Sequence, residues 1–198
     1  MNSSIKIVSY VGDEVKSLIP EIAKLRIEVF AEYPFLYIGD LEYEKRYLKK
    51  FSKMEDAIAV ACFDGEKLVG ISTGYPFIYE AKELQAVFTA KGLKPEDYFL
   101  FGESVLRKTV RGQGIGNAFF DEREAHVKKL RRFKHICFYT SLRPENDPRR
   151  PADYRPLGPF WEKRGYRERP ELVGTVSYQE IGEEAETPKK MVFWIKDL

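Results

Sequence analysis

The segment that most constrains the fold is RGQGIG, residues 111–116, because an apolar run precedes it and a helical pattern follows it. We predict a β-strand for the preceding YFLFGESVLRKTV and a helix for the following NAFFDEREAHVKKLRR. A helix N-terminus presents unpaired amide groups and about half a positive charge. The three alternate glycines permit positive φ angles and close approach of a ligand, and Arg111 adds a cation. This combination predicts a binding site for a pyrophosphate group.

Two other phosphate-binding motifs do not fit this spacing. A Walker A loop needs Lys and then Ser or Thr after its last glycine, whereas Asn117 and Ala118 follow Gly116. A dinucleotide fingerprint has the spacing GxGxxG, whereas this segment has GxGxG. The next predicted strand, HICFYTSL, also lacks the acidic residue that binds a ribose. Nucleotide hydrolysis and dinucleotide binding are therefore disfavoured.

Strand and helix patterns alternate over the first half of the chain. Residues 5–11 alternate apolar and polar side chains as a strand does, and apolar residues from 15 to 30 recur at helical spacing. Asp40 is predicted to cap a second helix. Asp64-Gly65 lies between two apolar runs and predicts the turn of a β-hairpin.

The alternation continues in the second half of the chain. The predicted elements are a helix at 80–91 ending at Gly92, the strand HICFYTSL, a Pro- and Arg-rich loop at about 143–157, the short helix GPFWEKRGY, and strands at roughly 172–179 and 190–196 joined by GEEAETPKK. Because hairpins occur beside helical crossovers, we expect an α/β (α+β) fold with a mixed sheet and helices on both faces.

The glycine segment resembles the acetyl-CoA-binding motif of the GNAT (Gcn5-related N-acetyltransferase) family. That motif reads Arg or Gln, two residues, Gly, one residue, and Gly or Ala, and Arg111, Gly114 and Gly116 match it. The later segment FWEKRGY is similar to the family's FYEKLGF helix. The resemblance implies one GNAT domain over residues 1–198, with a mixed, mostly antiparallel sheet of about seven strands and a helical insert at about 76–97.

The resemblance also implies acetyl-CoA as co-substrate and assigns residues to it. The backbone of Val105, Leu106 and Arg107 would pair with the pantetheine arm, and the amide of Val105 would polarise the thioester carbonyl. The residues that would hold the pyrophosphate are Arg111, Gly112, Gln113, Gly114, Ile115 and Gly116. Asn146 corresponds to the family's asparagine after the fifth strand, although the loop from there to Trp161 is longer than usual.

Acyl transfer to an amine needs a base, because only the neutral amine attacks. Glu103 lies eight residues before Arg111, where many members of the family place a glutamate, and it is the predicted general base. The alternative is that Glu103 is a solvated or salt-bridged strand residue.

The general acid is the point where this sequence departs from the family. Trp161 occupies the position of the tyrosine that faces the coenzyme sulfur, and an indole N–H is no acid at neutral pH. Trp161 would then pack in the core or line the acyl channel. Tyr154 and Tyr139 are the candidate substitutes for the acid, and each is also a candidate packing or loop residue.

The acceptor site in this family is formed by the first two helices and the last hairpin. Here these contribute AEYPFLYIGDLEYE and SYQEIGEEAETPKK, which are rich in aromatic and carboxylate side chains. Such a lining would suit an amine with an apolar body. The alternative is that the aromatic residues belong to the core and the acidic hairpin tip is solvated.

The net charge of the chain excludes few kinds of partner and does not favour a polyanionic one. The formal net charge is +2, so neither nucleic acid nor a membrane surface is indicated. The basic run KKLRRFK at 128–134 lies at a predicted helix end, where a solvated cationic face is expected rather than a nucleic-acid contact. His126 and His135 lack metal-ligand spacing, and no metal is expected.

The cysteines and the start of the chain favour a reducing, cytoplasmic setting. Cys62 and Cys137 each lie in an apolar strand pattern and are expected to be buried, unpaired thiols. MNSSIKIVSY lacks the basic flank and apolar core of a signal peptide. No apolar stretch approaches the roughly 18–20 residues of a membrane span.

The function expected from the resemblance is transfer of an acetyl or acyl group from acetyl-CoA to a primary amine of a small molecule or peptide. The alternative is a non-catalytic acyl-CoA-binding or regulatory module on the same fold, which the tryptophan at position 161 keeps open. Members of the family are often dimers, so the resemblance also suggests a homodimer.

Overall fold

One sheet organises the described chain, which comprises residues 5–198 of the computed structural model. Its strands are β1 (Ile5–Val11), β2 (Ile58–Asp64), β3 (Lys67–Pro76), β4 (Tyr98–Leu106), β5 (His135–Ser141), β6 (Arg167–Tyr178) and β7 (Thr187–Asp197). Their spatial order is β1-β2-β3-β4-β5-β7-β6. All neighbours are antiparallel except β4 and β5, which are parallel. The predicted mixed, mostly antiparallel sheet is therefore confirmed.

Helices cover both faces of this sheet. The α-helices are α1 (Ile19–Phe30), α2 (Leu41–Phe51), α3 (Lys82–Thr89), α4 (Ile115–Leu130) and α5 (Gly158–Lys163). Short 3₁₀ segments occur at Gly12–Leu18, Phe77–Tyr79, Pro95–Asp97 and Lys108–Val110. None of the helices within residues 5–198 is long and apolar enough to span a bilayer.

Strand β2 shows why the sequence of a central strand is apolar throughout. Ala59 and Ala61 belong to the core formed with α1 and α2, whereas Val60 and Cys62 belong to the core formed with α4. Successive side chains of a strand point to opposite faces. Because both faces of β2 are covered, every side chain from Ile58 to Cys62 is buried.

Several local predictions are confirmed at residue level. Strand β1 has the predicted bounds, and Asp40 caps α2 by accepting a 2.7 Å hydrogen bond from the amide of Tyr43. Cys62 and Cys137 are buried and free. The side chain of Tyr43, in the first turn of α2, is 53% exposed.

The predicted bounds were wrong where hydrogen bonding continues through polar residues. Strand β6 begins at Arg167 and β7 at Thr187, both earlier than predicted, because the ladder between them extends through charged side chains. Strand β4 ends at Leu106, and a 3₁₀ turn takes up Lys108–Val110. The first four residues, part of the segment weighed as a signal peptide, lie outside the described residues.

Candidate active site

The main cavity opens where β4 and β5 separate. The two strands pair only over Tyr98–Leu100 and His135–Cys137. Beyond these residues β4 stays paired with β3, and β5 stays paired with β7. A cavity of about 1580 Å³ includes the resulting gap, and Phe101–Leu106 and Phe138–Ser141 line it. We call this gap between the two strand edges the wedge.

The glycine loop lies on the wall of the same cavity, at the N-terminus of α4. Gly112 and Gly114 have φ angles of 78° and 81°, and a side chain on either would meet no atom within 4 Å. The amides of residues 112–116 donate to no acceptor in the part of the chain that the structure describes. Gly116 was expected to share the positive φ, but it lies inside the helix, and only Gly112 and Gly114 have it.

Arg111 ties the loop to the end of β4. Its Nε and one terminal nitrogen donate to the carbonyl of Leu106 at 2.9 and 2.7 Å, and the other terminal nitrogen is 2.9 Å from Glu32. Arg111 lines the cavity. The side chains of Gln113 and Ile115 do not, because Gln113 turns back toward Thr109 and Ile115 is buried beneath the loop. These two residues can contribute only their backbone amides to a ligand.

The ladder between β3 and β4 decides which backbone groups face the wedge. The amide of Arg107 donates to Val69 at 2.9 Å, so Arg107 faces β3. Backbone groups in an antiparallel strand alternate in direction, which turns Val105 toward β3 as well. Ser104 and Leu106 face the wedge instead. Of the three residues predicted to pair with pantetheine, only Leu106 has its backbone directed toward the wedge. The sequence did not predict Ser104, because it does not show which residues of a strand turn their backbone groups to which edge.

The side chain of Arg107 also points away from the cavity. It forms a 2.8 Å ion pair with Glu28 of α1 and is not part of the cavity wall. Arg107 therefore fixes α1 to the end of β4, and its predicted role in coenzyme binding has no support in this geometry.

Glu103, the predicted general base, is buried at an irregularity in the pairing of β3 and β4. One carboxylate oxygen is 2.6 Å from Arg26, and the other accepts a 2.8 Å hydrogen bond from Thr73. Burial raises the pKa of Glu103, but the charge and hydrogen bonds of its partners outweigh burial and leave the pKa below its usual range. Glu103 lines the cavity as a salt-bridged carboxylate, which is a weak proton acceptor.

Arg26 is shared by two carboxylates. Its Nε lies 2.5 Å from Glu44, which is 1% exposed, while its terminal nitrogen binds Glu103. The guanidinium also lies over the rings of Phe30 and Tyr47, at 5.0 and 4.6 Å from their centroids. The group therefore carries one excess negative charge. The signal for it in the sequence is an arginine on the apolar side of a predicted helix.

A second arginine supports the same strand from the opposite face. Arg123 of α4 is 1% exposed and donates to the carbonyl of Thr73 at 2.9 Å and to the hydroxyl of Ser104 at 3.0 Å. Burial lowers the pKa of Arg123, yet a guanidinium stays charged at neutral pH because its pKa starts above 12. Arg123 thus satisfies polar groups that the irregular ladder leaves without strand partners.

Trp161 packs against the aromatic core and also lies on the cavity wall. Its ring packs on Phe138 and Trp194, with centroids 5.0 and 5.1 Å away.

Tyr154, the candidate general acid, also lines the cavity. Its ring packs edge to face against Tyr33, with the centroids 4.8 Å apart, and burial raises its pKa. A phenol in this position can donate a hydrogen bond into the cavity.

Asn146 lies in an exposed turn and is not part of the cavity wall. Asn146 belongs to the loop before Trp161, which is longer than usual for the family, and this loop carries it outside the cavity. The same loop is held by Glu180, which is 2% exposed and binds Arg143 and Arg149 at 2.7 Å each. Glu180 is thus buried against two arginines, whereas Glu184 and Glu186 at the tip of the acidic hairpin are exposed, as the solvated alternative predicted.

The two segments predicted to form the acceptor site meet at the cavity. The amide of Ile38 donates to Gln179 at 2.9 Å, and the amide of Ile181 donates to Leu36 at 2.7 Å. Aromatic residues of both segments line the cavity, namely Tyr33, Phe35, Tyr37, Tyr43 and Tyr178, and Phe30 of α1 and Tyr47 of α2 lie beside them. Within the described residues, the basic run at 128–134 is not part of this wall.

Solved structures of other proteins resemble this chain at the level of the fold. No family model matches the chain, and no curated protein matches it. Three solved structures resemble it: a ribosomal-protein-alanine N-acetyltransferase from Brucella melitensis (TM-score 0.60, 14% identity, 98% of this chain and 99% of that chain), an acyl-CoA N-acyltransferase from Pseudomonas aeruginosa (0.56, 14%, 98% and 99%) and an acetyltransferase from Thermus thermophilus (0.55, 15%, 98% and 97%).

The chain has the GNAT acetyltransferase fold. The likeness covers nearly the whole of each chain. At these identities the likeness concerns the path of the backbone. The chemistry of this GNAT-fold protein therefore has to be argued from its own residues.

Proposed function

We propose that this protein is an N-acetyltransferase that transfers an acetyl group from acetyl-CoA to a primary amine. The observation that carries the proposal is the joint position of the wedge and the glycine loop on one cavity. A free strand edge can pair with an amide-containing chain such as pantetheine. Unpaired amides at a helix N-terminus suit a pyrophosphate. Coenzyme A contains both groups in one molecule.

The wall of the cavity supplies groups for the acyl transfer itself. The backbone of Ser104 and Leu106 faces the wedge, where an amide can donate to the pantetheine arm or to the carbonyl oxygen of the thioester. Tyr154 offers a phenol hydroxyl to the departing thiolate. The aromatic walls of the two acceptor segments suit an amine that carries an apolar body.

The second candidate is a module that binds acyl-CoA without turnover. The observation that favours it is the ion pair of Glu103 with Arg26, which removes the obvious general base. The two candidates share coenzyme binding and differ in thiol release. Measuring free coenzyme A with a thiol reagent, over a panel of small primary amines and an alanine-ended peptide, separates them.

Coenzyme binding is tested at Gly114. We expect Gly114→Val to abolish acetyl-CoA binding in isothermal calorimetry, because a side chain at this positive φ angle disturbs the loop and covers its amides. Gly92→Val is the matched control. Gly92 also has a positive φ (73°) and open space around it, but it lies after α3 and outside the cavity wall. Equal affinity of the two variants would overturn the proposal.

A further inference from the structure

Glu80, which lies between the 3₁₀ turn Phe77–Tyr79 and α3, accepts hydrogen bonds from two tyrosines. Its Oε2 accepts hydrogen bonds from Tyr75 at 2.9 Å and from Tyr139 at 3.3 Å. Its Oε1 accepts a 2.8 Å hydrogen bond from the amide of Ala81. No lysine or arginine forms an ion pair with it in residues 5–198, whereas Glu103 is fixed by Arg26. Within these residues, the carboxylate of Glu80 is therefore held by hydrogen bonds and not by a cation.

Both phenols lie at the closed end of the wedge. Tyr75 is opposite Leu100, the last residue of β4 that pairs with β5, and its ring is 3.4 Å from the point where a Cβ on Gly102 would lie. Tyr139 lies two residues after Cys137, where the pairing on β5 ends. The two tyrosines line the cavity and Glu80 does not, so the phenols separate the carboxylate from the cavity.

We infer that Tyr75 and Tyr139 pass the proton of the acceptor ammonium to Glu80, which is the final proton acceptor of the proposed transfer reaction. This inference rests on the proposed acetyl transfer. An N–H bond of the ammonium breaks as the phenol oxygen takes its proton, and the phenol gives its own proton to Glu80 Oε2. The products are a neutral amine, a neutral phenol and a protonated carboxyl group. Glu80 acts through the tyrosines and is a positioning residue.

The surroundings keep the phenols protonated, as such a relay requires. Burial, and then the charges of Glu80 and Tyr47, raise the pKa of Tyr139. Burial, and then Tyr47 and Glu80, raise the pKa of Tyr75. The titratable groups that face Glu80 are thus Tyr75 of β3, Tyr47 of α2, and Tyr139 and Cys137 of β5. Lys82, two residues further along the chain, donates to Gln85 instead.

The test compares two amines of similar shape and different basicity, 2-phenylethylamine and its β,β-difluoro analogue. Glu80→Gln keeps an oxygen for Ala81 but is a far weaker proton acceptor. We expect kcat for 2-phenylethylamine to fall by about 100-fold near neutral pH, the usual size of a lost general base. The defect should shrink as the pH rises and more neutral amine is present. The fluorinated amine, already neutral, should lose only a few-fold.

Glu83→Gln is the control, because Glu83 is an exposed carboxylate in the first turn of α3, three residues after Glu80. The double variant Tyr75→Phe, Tyr139→Phe should reproduce the loss and its dependence on amine basicity. Acetyl-CoA affinity should stay unchanged in calorimetry. An equal loss with both amines, or no loss, overturns the relay while acetyl transfer stands. If the unaltered protein binds acetyl-CoA and releases no thiol with these two amines or with any acceptor of the panel above, acetyl transfer itself fails and the relay with it.

Discussion

Among single residues, Arg26 forms ion pairs with two buried carboxylates, those of Glu44 and Glu103. We expect Arg26→Met to reduce the free energy of unfolding by about 3–5 kcal/mol, since it leaves two buried carboxylates without a cation. Urea unfolding at neutral pH measures this. Arg46→Met is the control, because Arg46 is exposed on α2 and its loss should change stability by about 0.5 kcal/mol or less. A similar small effect for Arg26→Met would contradict the buried network.

Glu103 gives the same network a dependence on pH. Because its pKa is lowered in the folded state, its contribution to stability is present above the unfolded pKa and is lost as the pH falls through the folded pKa. We expect Glu103→Gln to be less stable than the original protein at neutral pH, with the difference shrinking in acid. Urea unfolding over a pH series measures this. A difference that stays constant with pH would show that Glu103 keeps its ordinary pKa.

Among the structural elements, the loop at 143–157 depends on the β6–β7 hairpin for its order. Glu180 binds Arg143 and Arg149 from that loop. We expect Glu180→Ala to speed tryptic cleavage of the loop by roughly tenfold or more, because each hydrogen bond to a charged group contributes about 1.5–3 kcal/mol. Glu184→Ala, at an exposed position of the same hairpin, should leave the cleavage rate unchanged. Equal rates for the two variants would mean that the loop is ordered by other contacts.

The elements also show what the sequence could predict and what it could not. Strand β1, the Asp40 cap and the glycine turn before α4 were predicted correctly, because each depends on residues close together in the chain. The partner of Arg26 could not be predicted, since Glu103 is far away in the sequence and meets it only after α1 packs on β4. The same is true of Glu80, whose tyrosines come from two other strands.

At the scale of the whole molecule, the sheet consists of two parts joined at a narrow place. Strands β1 to β4 form one antiparallel part, and β5, β7 and β6 form the other. Only Tyr98–Leu100 and His135–Cys137 pair across the junction. The separation creates the wedge, but it also leaves backbone groups of β4 and β5 without strand partners on the facing edges. A bound coenzyme that pairs with these edges would connect the two parts.

This connection predicts how the protein responds to its coenzyme. At a concentration 100 times the dissociation constant, acetyl-CoA should stabilise the fold by about 2.7 kcal/mol and raise the melting temperature by roughly 5–10 °C. Hydrogen exchange locates the effect: amides within Phe101–Leu106 and Phe138–Ser141 should gain protection together with the glycine loop, because they line one cavity. Protection limited to the loop would mean that the coenzyme binds by its phosphates alone. Arg46, Lys49 and Lys50, exposed residues of α2 outside the cavity wall, provide the internal control, since their exchange should not change.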